Sequence, residues 1–416
     1  MTDTISERVA DPRTYSTPTR YHELFTRLRR DDPVRWAAPS TTRPFWIVSK
    51  HADVVEIERQ PELFINGPRL ELFSLQQEER IWEATRGRLA VSRTMLHMDG
   101  GEHRAYRALT QQWFMPSNVK KLEEKVGLLA KEYVDKLGGA GGEVDFVQLI
   151  GELYPLRVIM TILGLPPEEA PELLRLTQSF LGRDASRGPH ECKDDDIMVK
   201  AAGDIFEYFG RIYQDRLKSP RDDVATLIAH AKLDGKPIER LEVLSYYLLL
   251  GIAGHDTTNG TVTGGMLELI GNPDQLAQLK EQPDWMPSAV DEMLRWVTPV
   301  KSFMRTATQD YWLRGQQIQQ TQAVLLCYWS ANRDEDVFAN PFEFRVDRSP
   351  NRHLAFGYGP HVCLGQYLAK MEIRLLFREL LPRLEHVRLA GEPQWSPGTT
   401  VVHLTHLPIC YGLRPV

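Results

Sequence analysis

Phe356-Gly357-Tyr358-Gly359-Pro360-His361-Val362-Cys363-Leu364-Gly365 sets one cysteine among small residues, directly ahead of a segment in which Leu364, Leu368, Met371 and Leu375 recur with helical period. The pattern predicts a helix whose N-terminus lies at Cys363. There the macrodipole and the unpaired N–H groups favour a thiolate, and Gly359 and Gly365 let a flat ligand approach the backbone. A thiolate so placed serves as a nucleophile or as a metal ligand, while a small buried hydrophobe is the ordinary fate of a lone cysteine. A cysteine hydrolase with His361 as base fails on geometry, because residues i and i+2 do not face each other at a helix start.

Upstream, the clearest helix runs from Glu239 to Ile270, 32 residues or roughly 48 Å, and stops at Asn272-Pro273. Its middle, Leu248 to Ala253, is apolar on every side, as in a helix buried in a large core. Gly254-His255-Asp256-Thr257-Thr258 follows at once. A carboxylate and two hydroxyls there are costly unless partnered. They mark either a functional site or hydroxyls bonded back to i−4 carbonyls, with glycines allowing close helix packing. Strand-like pieces are few: Val34 to Ala37, Phe45 to Ser49, Ala323 to Tyr328 and Thr399 to Leu404. The glycine run Gly138 to Gly142 follows a helical pattern from Val119 to Leu137, so it reads as a helix stop and not as a dinucleotide loop. The fold class expected is mainly α with small β-sheets, in one domain over residues 1–416.

Across its 416 residues the chain is 42% apolar and 25% charged, which sets aside disordered and collagen-like classes. A formal charge of −6 argues against a broad nucleic-acid footprint. The four cysteines, Cys192, Cys327, Cys363 and Cys410, form no CxxC pair, so reduced thiols and a cytoplasmic location are expected. Met1 to Ala10 lacks the apolar core of a secretory signal. The notable apolar stretch Tyr246 to Gly254 falls far short of the roughly 20 residues a membrane span needs.

The loop around Cys363 resembles the cysteine-ligand loop of the cytochrome P450 family, with Phe356, Gly359, His361, Cys363 and Gly365 at the positions that motif requires. Two further family signatures stand in the right order: Ala253-Gly254-His255-Asp256-Thr257-Thr258, similar to the oxygen-activation segment, and Glu292-Met293-Leu294-Arg295, similar to the ExxR pair. Thr257 and Glu292 are 35 residues apart, and Glu292 and Cys363 71 apart, intervals that suit that fold. The resemblance implies haem b (iron protoporphyrin IX) with Cys363 as axial thiolate, which favours O–O cleavage over oxygen carriage. It further implies that Thr257 serves the oxygen in a widened helix turn, that Asp256 feeds it protons from solvent, and that Gly254 with Ala253 makes room.

Asp99 and Glu102 have the spacing of a capping box, and in the helix they open His103 and Arg107 are i,i+4 and share a face. By similarity to the family these two bind a haem propionate, joined by Arg305 and His361. Glu292 and Arg295, i,i+3, form a charge-assisted pair on one helix face. The family's third member matches Arg348, so a buried triad supporting the cysteine loop is expected.

No Rossmann or flavin-binding pattern occurs, so electrons from a separate ferredoxin and its reductase are implied, with Arg104, Lys120, Lys121 and Lys370 as the docking patch. Val300 to Ala307, Asn351 to Phe356 and Tyr154-Pro155-Leu156 resemble the bacterial terpineol-oxidising subfamily. Leu249, Ile252, Ala253, Val300 and Phe303 are expected to line a pocket for a small apolar substrate, a monoterpenoid or an alkyl-substituted aromatic ring. The alternatives are the same chemistry on a steroid or fatty acid, a haem-thiolate sensor, and a peroxide-using relative. The Asp256-Thr257 relay argues against the last two.

Overall fold

The computed structural model describes residues 4–87, 89–90, 92–181 and 195–414; Cys192 lies outside them. Six helices position the site: α1 (Gly100–Gln111), α2 (Glu123–Gly139), α3 (Leu153–Leu163), α4 (Arg240–Gly271), α5 (Met286–Val297) and α6 (Gln366–Leu380). Nine strands matter here: β1 (Val34–Ala37), β2 (Phe45–Val48), β3 (Phe64–Ile65), β4 (Glu143–Asp145), β5 (Ser302–Ala307), β6 (Ala323–Cys327), β7 (Leu384–Leu389), β8 (Leu404–His406) and β9 (Pro408–Leu413). The larger sheet runs β1-β2-β6-β5-β3, with β2 and β6 parallel and the other pairs antiparallel. A smaller antiparallel sheet runs β7-β9-β4.

The long helix α4 begins at Glu239, which shares a reciprocal capping box with Glu242. It ends where Asn272 Nδ2 donates to the Glu268 carbonyl and Pro273 opens the next helix. Its glycines are contact points. A Cβ on Gly251 would meet Phe209 at 3.3 Å, one on Gly254 would lie 2.3 Å from Ile159 Cδ1 of α3, and those on Gly264 and Gly265 would press on Val297 and Met293 of α5. The roughly 1 kcal/mol that each glycine costs a helix is offset by backbones packed closer than Ala allows. Among the described residues no helix is long and apolar enough to cross a membrane.

Three expectations are corrected. Thr399 to Leu404 is not a strand. The segment hands the carbonyls of Thr399 and Thr400 to Ser302 Oγ and Lys301 N, only Val401 pairs, in an isolated bridge with Val300, and β8 starts at Leu404. Asp99 is the N-cap of α1 but does not cap it with its side chain. Its carboxylate accepts from the Asn66 and Gly67 N–H groups at 2.8 and 3.1 Å, and Glu102 pairs with Arg93. Finally, α4 is α-helical throughout, with no widened turn at Thr257. The glycine run does stop α2, with Gly141 and Gly142 at φ +82° and +88° leading into β4.

Candidate active site

Cys363 lies three residues ahead of α6, not in it, because Gly365 takes the cap position. Its N–H donates to the Phe356 carbonyl at 2.8 Å, closing the loop into a tight return. Gly359, at φ +69°, passes so close to the Glu58 carbonyl that a Cβ would lie 2.2 Å from it, which requires glycine. A Cβ on Gly365 would meet nothing within 4 Å, so the backbone beside Cys363 faces open space. Burial pushes the Cys363 thiol up, while hydrogen bonding with the Gly365 backbone and the charge of Arg107 act in the other direction.

The loop opens on a cavity of about 1440 Å³, counting its mouth. His103 and Arg107 of α1 reach it together with His361, Arg305 and Asn66. The His103 and His361 rings stack with centroids 3.8 Å apart, and Asn66 Nδ2 lies 3.2 Å from His361 Nδ1. Burial lowers His103 to about 4 and His361 to about 3, with neighbouring cations adding to it. Both rings are therefore neutral near pH 7, each with an N–H to donate. Arg107 makes no hydrogen bond or ion pair among the described residues. Arg305 lines the same cavity, but its guanidinium donates to Glu58 at 2.9 Å and to the Met304 carbonyl at 2.8 Å, so His103, Arg107 and His361 are the freer donors.

On the α4 wall, Leu249, Leu250, Ala253, Gly254, Thr257, Thr258 and Thr261 line the cavity. At about 100° per residue they occupy one half-turn of the helix. Ile252 does not line it; it falls about 60° outside that arc and packs into the surrounding core. Gly254 touches the cavity, but the room its missing side chain leaves is taken by Ile159, so Ala253 is the small residue that opens the wall. Thr257 Oγ1 donates to the Ala253 carbonyl at 2.8 Å and so turns acceptor lone pairs to the cavity. Asp256 is buried, 3.3 Å from His403 Nε2. Val300 and Phe303 complete the facing wall, with Leu70 and Met95.

Behind the loop, Glu292 and Arg295 are both 0% exposed and joined at 2.7 Å, and Arg348 Nε reaches the same carboxylate at 3.0 Å. The Arg345 N–H and Asn351 Nδ2 also donate to Glu292, while Arg295 donates to the carbonyls of Asn332 and Pro341. Burial would raise the Glu292 carboxyl, but the hydrogen bonds and charge of Arg295, with Arg348, hold it below the ordinary carboxylate range. Every member is partnered, the condition for a buried ionic group to be tolerated.

Residues 190–409 match the family profile described as Cytochrome P450. The chain is 41% identical over 398 residues to Cytochrome P450-terp of a Pseudomonas species, covering 94% of this chain and 93% of that one. It belongs to the cytochrome P450 family. This P450 is also 32% identical over 371 residues to linalool 8-monooxygenase of Pseudomonas putida, covering 89% and 90% of the two chains. The crystal structure of CYP108D1 from Novosphingobium aromaticivorans superposes with a TM-score of 0.91 at 36% identity, covering 99% and 98%. The family's cofactor is haem with an axial cysteine thiolate, and its enzymes are monooxygenases.

The residues of this P450 fit that group. A thiol, open backbone at Gly365, and three convergent donors with one uncommitted guanidinium suit a flat metal macrocycle bearing two carboxylates. Asn66, Glu58 and Met95 belong to the cavity but carried no signal in the chain; Asn66 meets His361 across a separation of 295 residues. Lys301 and Arg333, both 0% exposed, were likewise unmarked. They donate to main-chain carbonyls of the α5 C-terminal turn, where cations are favoured.

Proposed function

We propose that this P450 hydroxylates a small apolar terpenoid or alkyl-substituted ring, using O2 and two electrons from a separate ferredoxin served by its reductase. The observation that carries the substrate half is how the charges of the cavity are committed. Glu58 accepts from Arg305 and Tyr328, Glu372 accepts from Thr258 at 2.9 Å, and His103, Arg107 and His361 gather as carboxylate donors. That leaves Leu70, Met95, Leu249, Val300 and Phe303 as an apolar enclosure, in which each of the two glutamates keeps a single buried oxygen, Oε2, without a hydrogen-bond partner. Such a wall selects by shape and buried area. The likeness to Cytochrome P450-terp and to linalool 8-monooxygenase supports the same substrate class.

Bound haem supplies the oxygen chemistry, with thiolate ligation favouring O–O cleavage. The chain supplies the rest. Cys363 would ligate the metal, and His103, Arg107 and His361 would hold the propionates. Thr257 Oγ1, its own hydrogen directed at the Ala253 carbonyl, accepts from and so positions a proton carrier beside the cavity, and Asp256 behind it is the proton source. A general acid or base so positioned contributes roughly 10²- to 10⁴-fold.

Titrating the purified holoenzyme with monoterpenes, alkylbenzenes, steroids and fatty acids tests the substrate. Terpenes or alkylbenzenes should raise the iron spin state. A strong shift with steroids or fatty acids and none with the small ligands overturns the substrate reading. Product formation coupled to NADH consumption, with ferredoxin and reductase added, separates the oxygenase from a ligand-binding sensor.

A further inference from the structure

Asp256 is met from outside the cavity by a histidine that belongs to no motif. His403 immediately precedes β8, and its main chain is fixed to Ser396 by two hydrogen bonds: its N–H to Ser396 Oγ at 3.2 Å, and its carbonyl from the Ser396 N–H at 2.9 Å. Gly260 lets it approach α4, since a Cβ there would lie 3.0 Å from His403 Cβ. Both His403 and Asp256 are 5% exposed, and Nε2 stands 3.3 Å from Oδ1.

The other ring nitrogen settles the chemistry. Nδ1 lies 2.8 Å from the Leu404 carbonyl, which only accepts, so Nδ1 carries a hydrogen. A neutral ring has one N–H, and its Nε2 is then a bare lone pair. Two bare acceptors facing each other in a buried site repel, so the contact holds one proton. It exists as imidazolium and carboxylate or as imidazole and carboxylic acid, two placements of the same proton.

A line of groups leads away from it. Glu152 sits where a π-turn (Val147–Gly151) meets α3; its carboxyl is raised by burial, lowered by His403, and raised by Asp145 and Asp256. Asp145 in turn lies 2.6 Å from Nδ1 of the part-exposed His406. The titratable groups that act on His403 thus include Asp256 on α4 and Glu152 ahead of α3, with Asp145 on β4 and His406 on β8 further along the line.

We propose that Asp256 and His403 form a one-proton couple, and that His403 reloads the proton Asp256 delivers to the Thr257 side of the cavity. The proton leaves the Asp256 carboxyl for a water or hydroxyl in the cavity, and the carboxylate stays facing the ring. A proton from bulk water, arriving past Glu152, restores the couple, and no electrons move. His403 is a positioning residue that sets the pH dependence of reloading. This inference rests on the reading of Asp256 as the proton source.

The test uses holoenzyme. In the ferrous carbonyl state, ¹⁵N spectra of the histidine rings should show His403 protonated at Nδ1, with Nε2 responding to pH and to Asp256→Asn; a ring that only packs keeps one state in both. In turnover, the wild-type rate should fall as pH rises through the titration of the couple. His403→Gln keeps a donor toward Asp256 but cannot titrate, so it should lose that limb, run about tenfold slower and show a larger solvent isotope effect. Wild-type pH profile and isotope effect in His403→Gln, alongside a slow Asp256→Asn, overturn the couple and leave Asp256 standing. An unaltered Asp256→Asn removes the Asp256 reading and the inference with it. Should His403→Gln not fold, a ring state in wild type that ignores Asp256→Asn overturns it equally.

Discussion

Cys363 and Cys327 have the same side chain and opposite fates. Cys327 is 1% exposed in β6, and burial pushes its thiol well up, so it is a small apolar filler. Cys363→Ser should abolish the thiolate-type reduced-CO absorbance, whereas Cys327→Ser and Cys410→Ser should retain it, Cys327→Ser with some loss of thermal stability. Thr257→Ala removes the hydroxyl that bridges the Ala253 carbonyl and the cavity. Haem and ligand binding should persist, while product formed per NADH falls by about tenfold or more as reducing equivalents leave as hydrogen peroxide, read by a peroxide assay. Phe303 and Ile252 separate wall from core. At about 25 cal/mol per Å², losing about 50 Å² of ring contact costs about 1 kcal/mol, roughly fivefold in affinity. Phe303→Ala should therefore weaken the small ligand about fivefold and alter which carbon is hydroxylated. Ile252→Ala should lower stability and leave the ligand titration unchanged.

The long helix shows how one segment serves packing and chemistry together. Thr257, Thr261 and Thr263 all bond back to i−4 carbonyls, and its glycines admit α3, α5 and His403, so the structural reading of these residues holds, and the role proposed for Thr257 is compatible with it. Gly254→Ala gains about 1 kcal/mol of helix propensity. It also forces Ile159 Cδ1 out of a 2.3 Å approach, an overpacking that costs about 1–3 kcal/mol. The net should be destabilising by about 1 kcal/mol, and Ile159→Val, which removes Cδ1, should recover most of it. Denaturant unfolding of the two single variants and the double variant measures that coupling, and simple additivity would show that Ile159 is not the obstacle.

Over the whole molecule the net charge is −6, and the docking proposed for an acidic ferredoxin would depend on a local departure from it. Arg104, Lys120 and Lys121 are exposed, but Lys370 is held by Asp291 at 2.7 Å, which removes it from the freer cations of that patch. Arg104→Glu and Lys120→Glu should lower ferredoxin-supported turnover severalfold at low ionic strength, with the effect shrinking as salt screens the encounter. Peroxide-driven turnover, which bypasses the partner, should stay unchanged; an equal loss there would mean the haem site itself had been damaged.

The family, the cysteine ligand, the span of the long helix and the buried triad were legible in the chain, because each is written in residues close in sequence: a ten-residue loop, a helical period, an i,i+3 pair. Three things were not. That Asp99 serves Asn66 and Gly67, that Ile159 fills the space beside Gly254, and that His403 stands against Asp256 are contacts between segments far apart, whose partners carry no local pattern. The same limit explains Ile252, whose composition suited the pocket while its angle on the helix took it away. Local periodicity decides which residues share a face, but only the packing of elements decides what that face meets.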